Sequence, residues 1–300
     1  MARPPVGLLA WALLAGGVFG TATAQAFECT PAKMGTNYRC HVAVHWDVRT
    51  IPYVVEIPAG TKTERGLLLS AVEAAGAHWS SPQCTDLRFE SRGTVASAPE
   101  AVTGQILVRP QPDVWPSGRD AVVALTTVVH GFDTGKIISV ELELNEANYT
   151  FTDATELCTD AYDLEATITH ELGHALGFAH PCEEDETNFG GCGTELCSVV
   201  RERLLMSDPT ARLPTMWPTV TPCELELRSL ETDDLDGVCF VYPAAGPTRP
   251  CRPLPRQPDG FVGTTFFGCR AQGGSAGPAW WGGLLLLSLT LRRRFGTVRP

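Results

Sequence analysis

The spacing of apolar positions changes several times along this chain, and each change marks an element. Residues 40–57, "CHVAVHWDVRTIPYVVEI", mix β-branched and aromatic side chains in partial alternation, which predicts one or two strands. In "TKTERGLLLSAVEAAGAHWS" (61–80), Leu67, Leu68, Val72, Ala75 and Trp79 recur at helical spacing, and Ser80, Ser81 and Pro82 end the run. "LRFESRG", "GQILVRP", "DAVVALTTVVH" and "GKIISVELELN" then read as four further strands separated by Gly, Pro and Asp. A second helix is expected from about Asp163 to Gly177, and a closing helix from about Leu227 within "LRSLETDDLDGVCFVY". Strands followed by helices in this order predict a mixed α/β (α+β) domain.

The two ends follow other patterns. Residues 1–26 combine Arg3, the apolar run "VGLLAWALLAGGVFG" and the small-x-small site Ala24-Gln25-Ala26, the arrangement of a secretory signal. Residues 27–246 hold the domain, and 247–271 are rich in Pro, Gly and Arg and read as a linker. Residues 272–300 form an apolar run closed by Arg292, Arg293 and Arg294. The apolar stretch from Pro278 to Leu291 falls short of the ~30 Å hydrocarbon core at ~1.5 Å per residue, so a short or transient inner-membrane anchor with cytoplasmic arginines is expected.

Charge and cysteine content narrow the function. The 23 basic and 34 acidic residues give a net charge of -11. Outside the two ends, residues 27–269 keep 17 of the basic and all 34 acidic groups, 17 minus 34 or -17, which argues against a nucleic-acid partner. All 11 cysteines follow the expected signal and none forms a C-x-x-C pair, so a disulfide framework in an exported protein is the expectation. The odd number leaves one cysteine over.

The candidate chemistry lies in "THELGHALGFAH", residues 169–180. On a helix His170 and His174 project from one face and can reach one ion, while Glu171 lies beside them, placed to contact water without binding the metal. Gly177 allows the sharp turn that brings His180 back as a third ligand, and Pro181 discourages further helix. His41, His45, His78 and His130 have no partner pattern and read as surface or packing residues.

The run H-E-x-x-H-x-x-G-x-x-H resembles the zinc signature of the metzincin metallopeptidases. "LPTMWPTV" resembles the methionine turn of their matrixin branch, which selects Met216 as structural support and leaves Met206 as a loop or core residue. The likeness extends over most of residues 45–243, through "WDVRTIPYVVEI", "AHWSSPQCTDLRFE", "TGKIISVELELNE" and "YDLEATITHELGHALGFAH". It implies a twisted mixed five-stranded sheet, three helices and a zinc cleft between upper and lower subdomains. It also implies that Asp120 to Val129 form an edge strand for an extended substrate and that Thr215 to Val220 wall a specificity pocket. The chain departs from the pattern at Pro181 and in the long insertion carrying Cys182, Cys192 and Cys197, and it has no cysteine-switch propeptide motif. Cys269 with the small-residue spacer and short apolar run resembles a MYXO-CTERM sorting tail, which implies that Cys269 is the unpaired cysteine.

These readings predict a secreted or surface zinc endopeptidase that binds one Zn2+ through His170, His174 and His180, with Glu171 as general base and a protein or peptide as substrate. The acidic run Glu183 to Glu186 offers carboxylates to Ca2+, although a solvated face is the simpler reading. A non-proteolytic, zinc-stabilised surface binding protein is the alternative. Oligomeric state is not legible.

Overall fold

The computed structural model describes residues 27–34, 37–98, 102–116, 118–154, 158–184, 195–249, 262–267 and 269–271. The expected signal and the tail from 272 onward lie outside the described residues. The central sheet contains β1 (Thr50–Glu56), β2 (Arg88–Val95), β3 (Ile106–Pro110), β4 (Ala124–Gly131) and β5 (Ile137–Leu144), joined by β6 (Val262–Phe267). Their order is β6-β4-β5-β3-β1-β2. β2, β1, β3 and β5 run parallel, while β4 is antiparallel to β5, giving the expected mixed five-stranded sheet.

The parallel pair β1 and β2 needs a crossover, which α1 (Arg65–Ser80) supplies. The Glu64 side chain caps α1 by accepting from Leu67 N, and Leu68, Val72, Ala75 and Trp79 form its buried face. α2 (Leu164–Ala175) packs against α1 and lies on β4 and β5. Asp163 caps it by accepting from Ala166 N at 2.7 Å, so the helix begins at a fixed residue and its histidines take a fixed phase. α4 (Thr232–Val241) closes the domain, after a single 3-10 turn at Glu226–Arg228.

Four α-helices are described, one more than the resemblance implied. The addition is α3 (Cys197–Ser207), inside the long insertion. Only Cys197 and Val200 of α3 are buried, so it carries almost no apolar stripe for periodicity to reveal. The Cys182–Cys197 bridge ties its start to the end of the motif. Met206 lies on α3 at 80% exposure, not in a loop or the core, because this helix barely packs.

Two other departures concern the sheet. The strand expected over 120–130 begins at Ala124, and the preceding residues turn. More consequentially, β4 is not an edge. β6, from the segment that composition marked as a linker, pairs antiparallel with it from Val262↔Gly131 to Phe267↔Thr126.

Cys84–Cys239 links the end of α1 to α4, and Cys158–Cys223 joins the approach to α2 to the turn before α4. Cys29 is bridged as well, whereas Cys269 is free and buried. Three such bridges indicate that the domain matures in an oxidising environment.

Candidate metal centre

His170, Glu171 and His174 are fully buried on α2. The helix stops at Leu176, whose N–H returns to Leu172 and Gly173 carbonyls, and Gly177 takes φ 97°. A side chain there would place its Cβ 2.1 Å from the Val44 carbonyl oxygen, so close backbone approach and positive φ both demand glycine. Phe178–Ala179 then pairs antiparallel with Glu28–Cys29, and Thr30 N donates to the Gly177 carbonyl. Thus the first residues after the expected signal hold the short strand that delivers His180.

The three imidazoles meet edge to edge. His180 Nε2 lies 3.2 Å from His170 Nε2 and 3.1 Å from His174 Nε2. His170 Nδ1 donates to the Thr215 carbonyl at 2.7 Å, and His174 Nδ1 donates to the Phe178 carbonyl at 2.8 Å. Those bonds leave the Nε2 lone pairs of His170 and His174 facing inward. Lone pairs this close repel one another unless a cation lies among them, and neutral nitrogen donors at this spacing suit a metal ion. Burial lowers the pKa of His170 to about 4 despite its Thr215 bond. His174 is held well below the ordinary imidazole range by burial and by the His180 and His170 rings, and His180 is held low by desolvation and His170. All three therefore present the neutral form that ligation requires.

Glu171 points to a different set of neighbours. Thr126 Oγ1 on β4 donates to Glu171 Oε2 at 2.6 Å, and Cys269 N donates to Oε1 at 3.1 Å. Burial raises the Glu171 pKa to about 7, while the bonds from Thr126 and Cys269 pull it down. A carboxyl poised near neutrality can both take and return a proton.

Met216 is buried beneath α2. A Cβ on Gly173 would lie 2.1 Å from Met216 Sδ and 2.8 Å from Trp79 Cζ2, so Gly173 is the position that admits the methionine. Asp234, near the start of α4, accepts from Thr215 N at 2.8 Å and Met216 N at 3.3 Å. It fixes the turn whose Thr215 carbonyl orients His170. Asp234, Thr126 and Cys269 were not singled out for this site by the sequence. Thr126 lies in an ordinary strand pattern, and Asp234 is one of three acids in "TDDLD". The cysteine count marked a leftover thiol without placing it here.

The other described histidine side chains do not join this group. His45 Nδ1 bonds the Ala43 carbonyl, and His78 pairs with Glu165 at 2.8 Å. His130 is buried in β4, where desolvation lowers its pKa, and the His41 side chain lies outside the described residues. Among the described residues, His170, His174 and His180 are the group of metal-ligating side chains close enough to share one ion. No protein-family model matches the chain, and no curated protein matches it.

Proposed function

We propose that the protein is an exported zinc endopeptidase of the metzincin class, resembling the matrixin branch. The observation that carries this reading is the joint placement of three inward-facing Nε2 atoms and, one residue after the first of them, a buried carboxyl held by Thr126 Oγ1. A structural zinc site needs no such carboxyl and favours four protein ligands. Zinc held by His170, His174 and His180 would supply Lewis acidity toward a water and a peptide carbonyl. Glu171 accepts the water proton and passes it to the leaving amine, with Thr126 holding the carboxylate in position. Met216 supports the helix from below and neither binds metal nor moves protons.

The substrate is a protein or peptide, and the turn at Thr215 to Val220 gives specificity by walling the pocket for its side chain. The N-terminal segment directs export, and the C-terminal segment anchors the precursor transiently in the inner membrane before the product reaches the surface or medium.

The test uses the chain from Phe27 onward, stripped with a chelator and reloaded with one equivalent of zinc, acting on casein or gelatin. Cleavage restored by zinc is expected. Glu171→Gln should retain bound zinc and lose about 10²- to 10⁴-fold in rate. One equivalent of bound zinc with no cleavage by the wild type would refute the general protease and leave a zinc-stabilised surface binding protein.

A further inference from the structure

The space beside Glu171 is filled by the chain's own C-terminal portion. β6 covers the open side of β4 through six antiparallel residue pairs and ends at Phe267↔Thr126, beside the threonine whose hydroxyl bonds Glu171. Farther on, the Cys269 carbonyl accepts from Val123 N at 2.9 Å, and Arg270 N donates to the Pro218 carbonyl at 3.0 Å. Arg270–Ala271 pairs parallel with Thr219–Val220, the strand that follows the Met216 turn. Cys269 to Ala271 therefore spans the gap between the start of β4 and the turn that walls the pocket.

These contacts close the site. The Cys269 amide donates to Glu171 Oε1 at 3.1 Å while Thr126 Oγ1 donates to Oε2 at 2.6 Å, so each oxygen of the carboxylate already holds a donor from the chain. Glu171 is 0% exposed and Cys269 1%. A water or peptide that is to meet the carboxylate must first displace Cys269, and a peptide that is to enter along the Thr215 to Val220 turn must first displace Arg270–Ala271. Resting on the endopeptidase reading above, we propose that β6 and Cys269 to Ala271 form a built-in inhibitor, which holds the enzyme latent by occupying the substrate's place. Activity requires these residues to leave.

The contacts suit a reversible plug. Cys269 and Arg270 are held through main-chain groups, the kind of bond that any peptide backbone can replace. β6 stands at the end of the strand order, so its departure breaks only the pairing with β4 and leaves the five-stranded sheet intact. Its covalent tether supplies it at an effective concentration on the order of mM, so even a weakly held strand keeps the site closed. Only the open fraction binds substrate, which raises the apparent KM by the inverse of that fraction and leaves kcat unchanged. Loosening the plug therefore lowers KM alone, a change that damage to the histidine group would not produce.

The experiment uses the full chain from Phe27 to Pro300 in detergent, loaded with one equivalent of zinc. It follows hydrolysis of a short fluorogenic peptide and, separately, alkylation of the Cys269 thiol by iodoacetamide, located by peptide mapping. Arg270→Pro removes the N–H that bonds Pro218, and the pair Thr264→Pro and Thr265→Pro removes a β6 N–H that faces β4, since facing alternates along a strand. In the wild type, Cys269 should react about 10-fold or more slowly than in the urea-unfolded chain. Both variants should react faster and show a KM lower by about 10-fold with kcat unchanged. A synthetic peptide with the sequence from Val262 to Ala271, added up to the mM range, should return their KM toward the wild-type value. Fast alkylation of wild-type Cys269 would overturn the built-in inhibitor, as would variants that expose the thiol while KM stays where it was. Casein digestion by the wild type would in either case leave the endopeptidase reading standing. Zinc-bound variants with an exposed thiol that hydrolyse neither the peptide nor casein would defeat both readings.

Discussion

Gly173→Ala tests how tightly the histidine-bearing helix α2 rests on its methionine support. The added Cβ would lie 2.1 Å from Met216 Sδ and 2.8 Å from Trp79 Cζ2, against ordinary contacts of about 3.5–4 Å. Met216 would have to retreat by more than about 1 Å, yet it and Trp79 are 4% and 0% exposed, so neither has free space to enter. Overpacking of this kind costs about 1–3 kcal/mol, and the gain in helix propensity from Gly to Ala returns about 1 kcal/mol. Because both neighbours are enclosed the cost falls at the upper end of that range, so a net loss of about 2 kcal/mol is expected, or about 4–8 °C in Tm for a domain of this size. Met216→Ala alone should cost about 2–5 kcal/mol as a buried methionine truncation. In the double variant the new methyl would occupy part of the space vacated, so the two changes should couple favourably by at least about 1 kcal/mol. Calorimetry and urea unfolding of the four proteins with zinc bound give the cycle. Additive losses, or a Gly173→Ala protein as stable as wild type, would refute the claim that this glycine exists to admit the methionine.

Gly177→Ala faces rigid backbone, with its Cβ 2.1 Å from Val44 O and φ at 97°; a loss above about 2 kcal/mol and weakened zinc binding are expected by calorimetry and metal titration. Removing Cys84–Cys239, which spans 155 residues, should destabilise more than removing Cys182–Cys197, which spans 15; chain entropy gives about 5 against about 3 kcal/mol, measurable by urea unfolding of paired Cys→Ala variants. Asp233 is raised to about 7 by burial and by Asp234, Asp236 and Glu28, and Asp234 to about 6 by burial. Both native pKa values lie above the unfolded ones, so their stabilising contribution is full below about pH 4 and is lost as pH rises toward 7. Urea unfolding in chelator should therefore show Asp233→Asn gaining stability relative to wild type between pH 4 and 7, and an unchanged difference would refute the assignment.

Much of the domain was legible because its signals are local. Helical period alone puts His170 and His174 on one face, and the glycine at 177 marks where the chain must turn to bring His180 to them. The choice between Met206 and Met216 rested on neighbouring residues, and the structure places Met216 under α2 and Met206 on an exposed helix. What escaped was non-local or weakly patterned. β6 lies in a Pro- and Gly-rich region, and its pairing partner is more than a hundred residues earlier, where no periodicity could point to it. α3 is barely amphipathic because its bridge, more than its core contacts, holds it to the domain. Thr126 and Asp234 act through single hydrogen bonds that only the closed fold brings about.

The histidine-bearing helix α2 is also wired to two indole rings. Trp79 Nε1 donates to the Thr169 carbonyl and Trp46 Nε1 to the Ala175 carbonyl, both at 2.8 Å, one near each end of the histidine-bearing turns. Tyr242 extends the second attachment, accepting from Trp46 N while its hydroxyl donates to the Leu176 carbonyl. Both indoles are buried, so their fluorescence depends on whether those carbonyls stay in place and water stays out. The protein therefore carries an intrinsic optical gauge of its histidine-bearing helix, able to report loosening of either end in real time without a dye or a substrate.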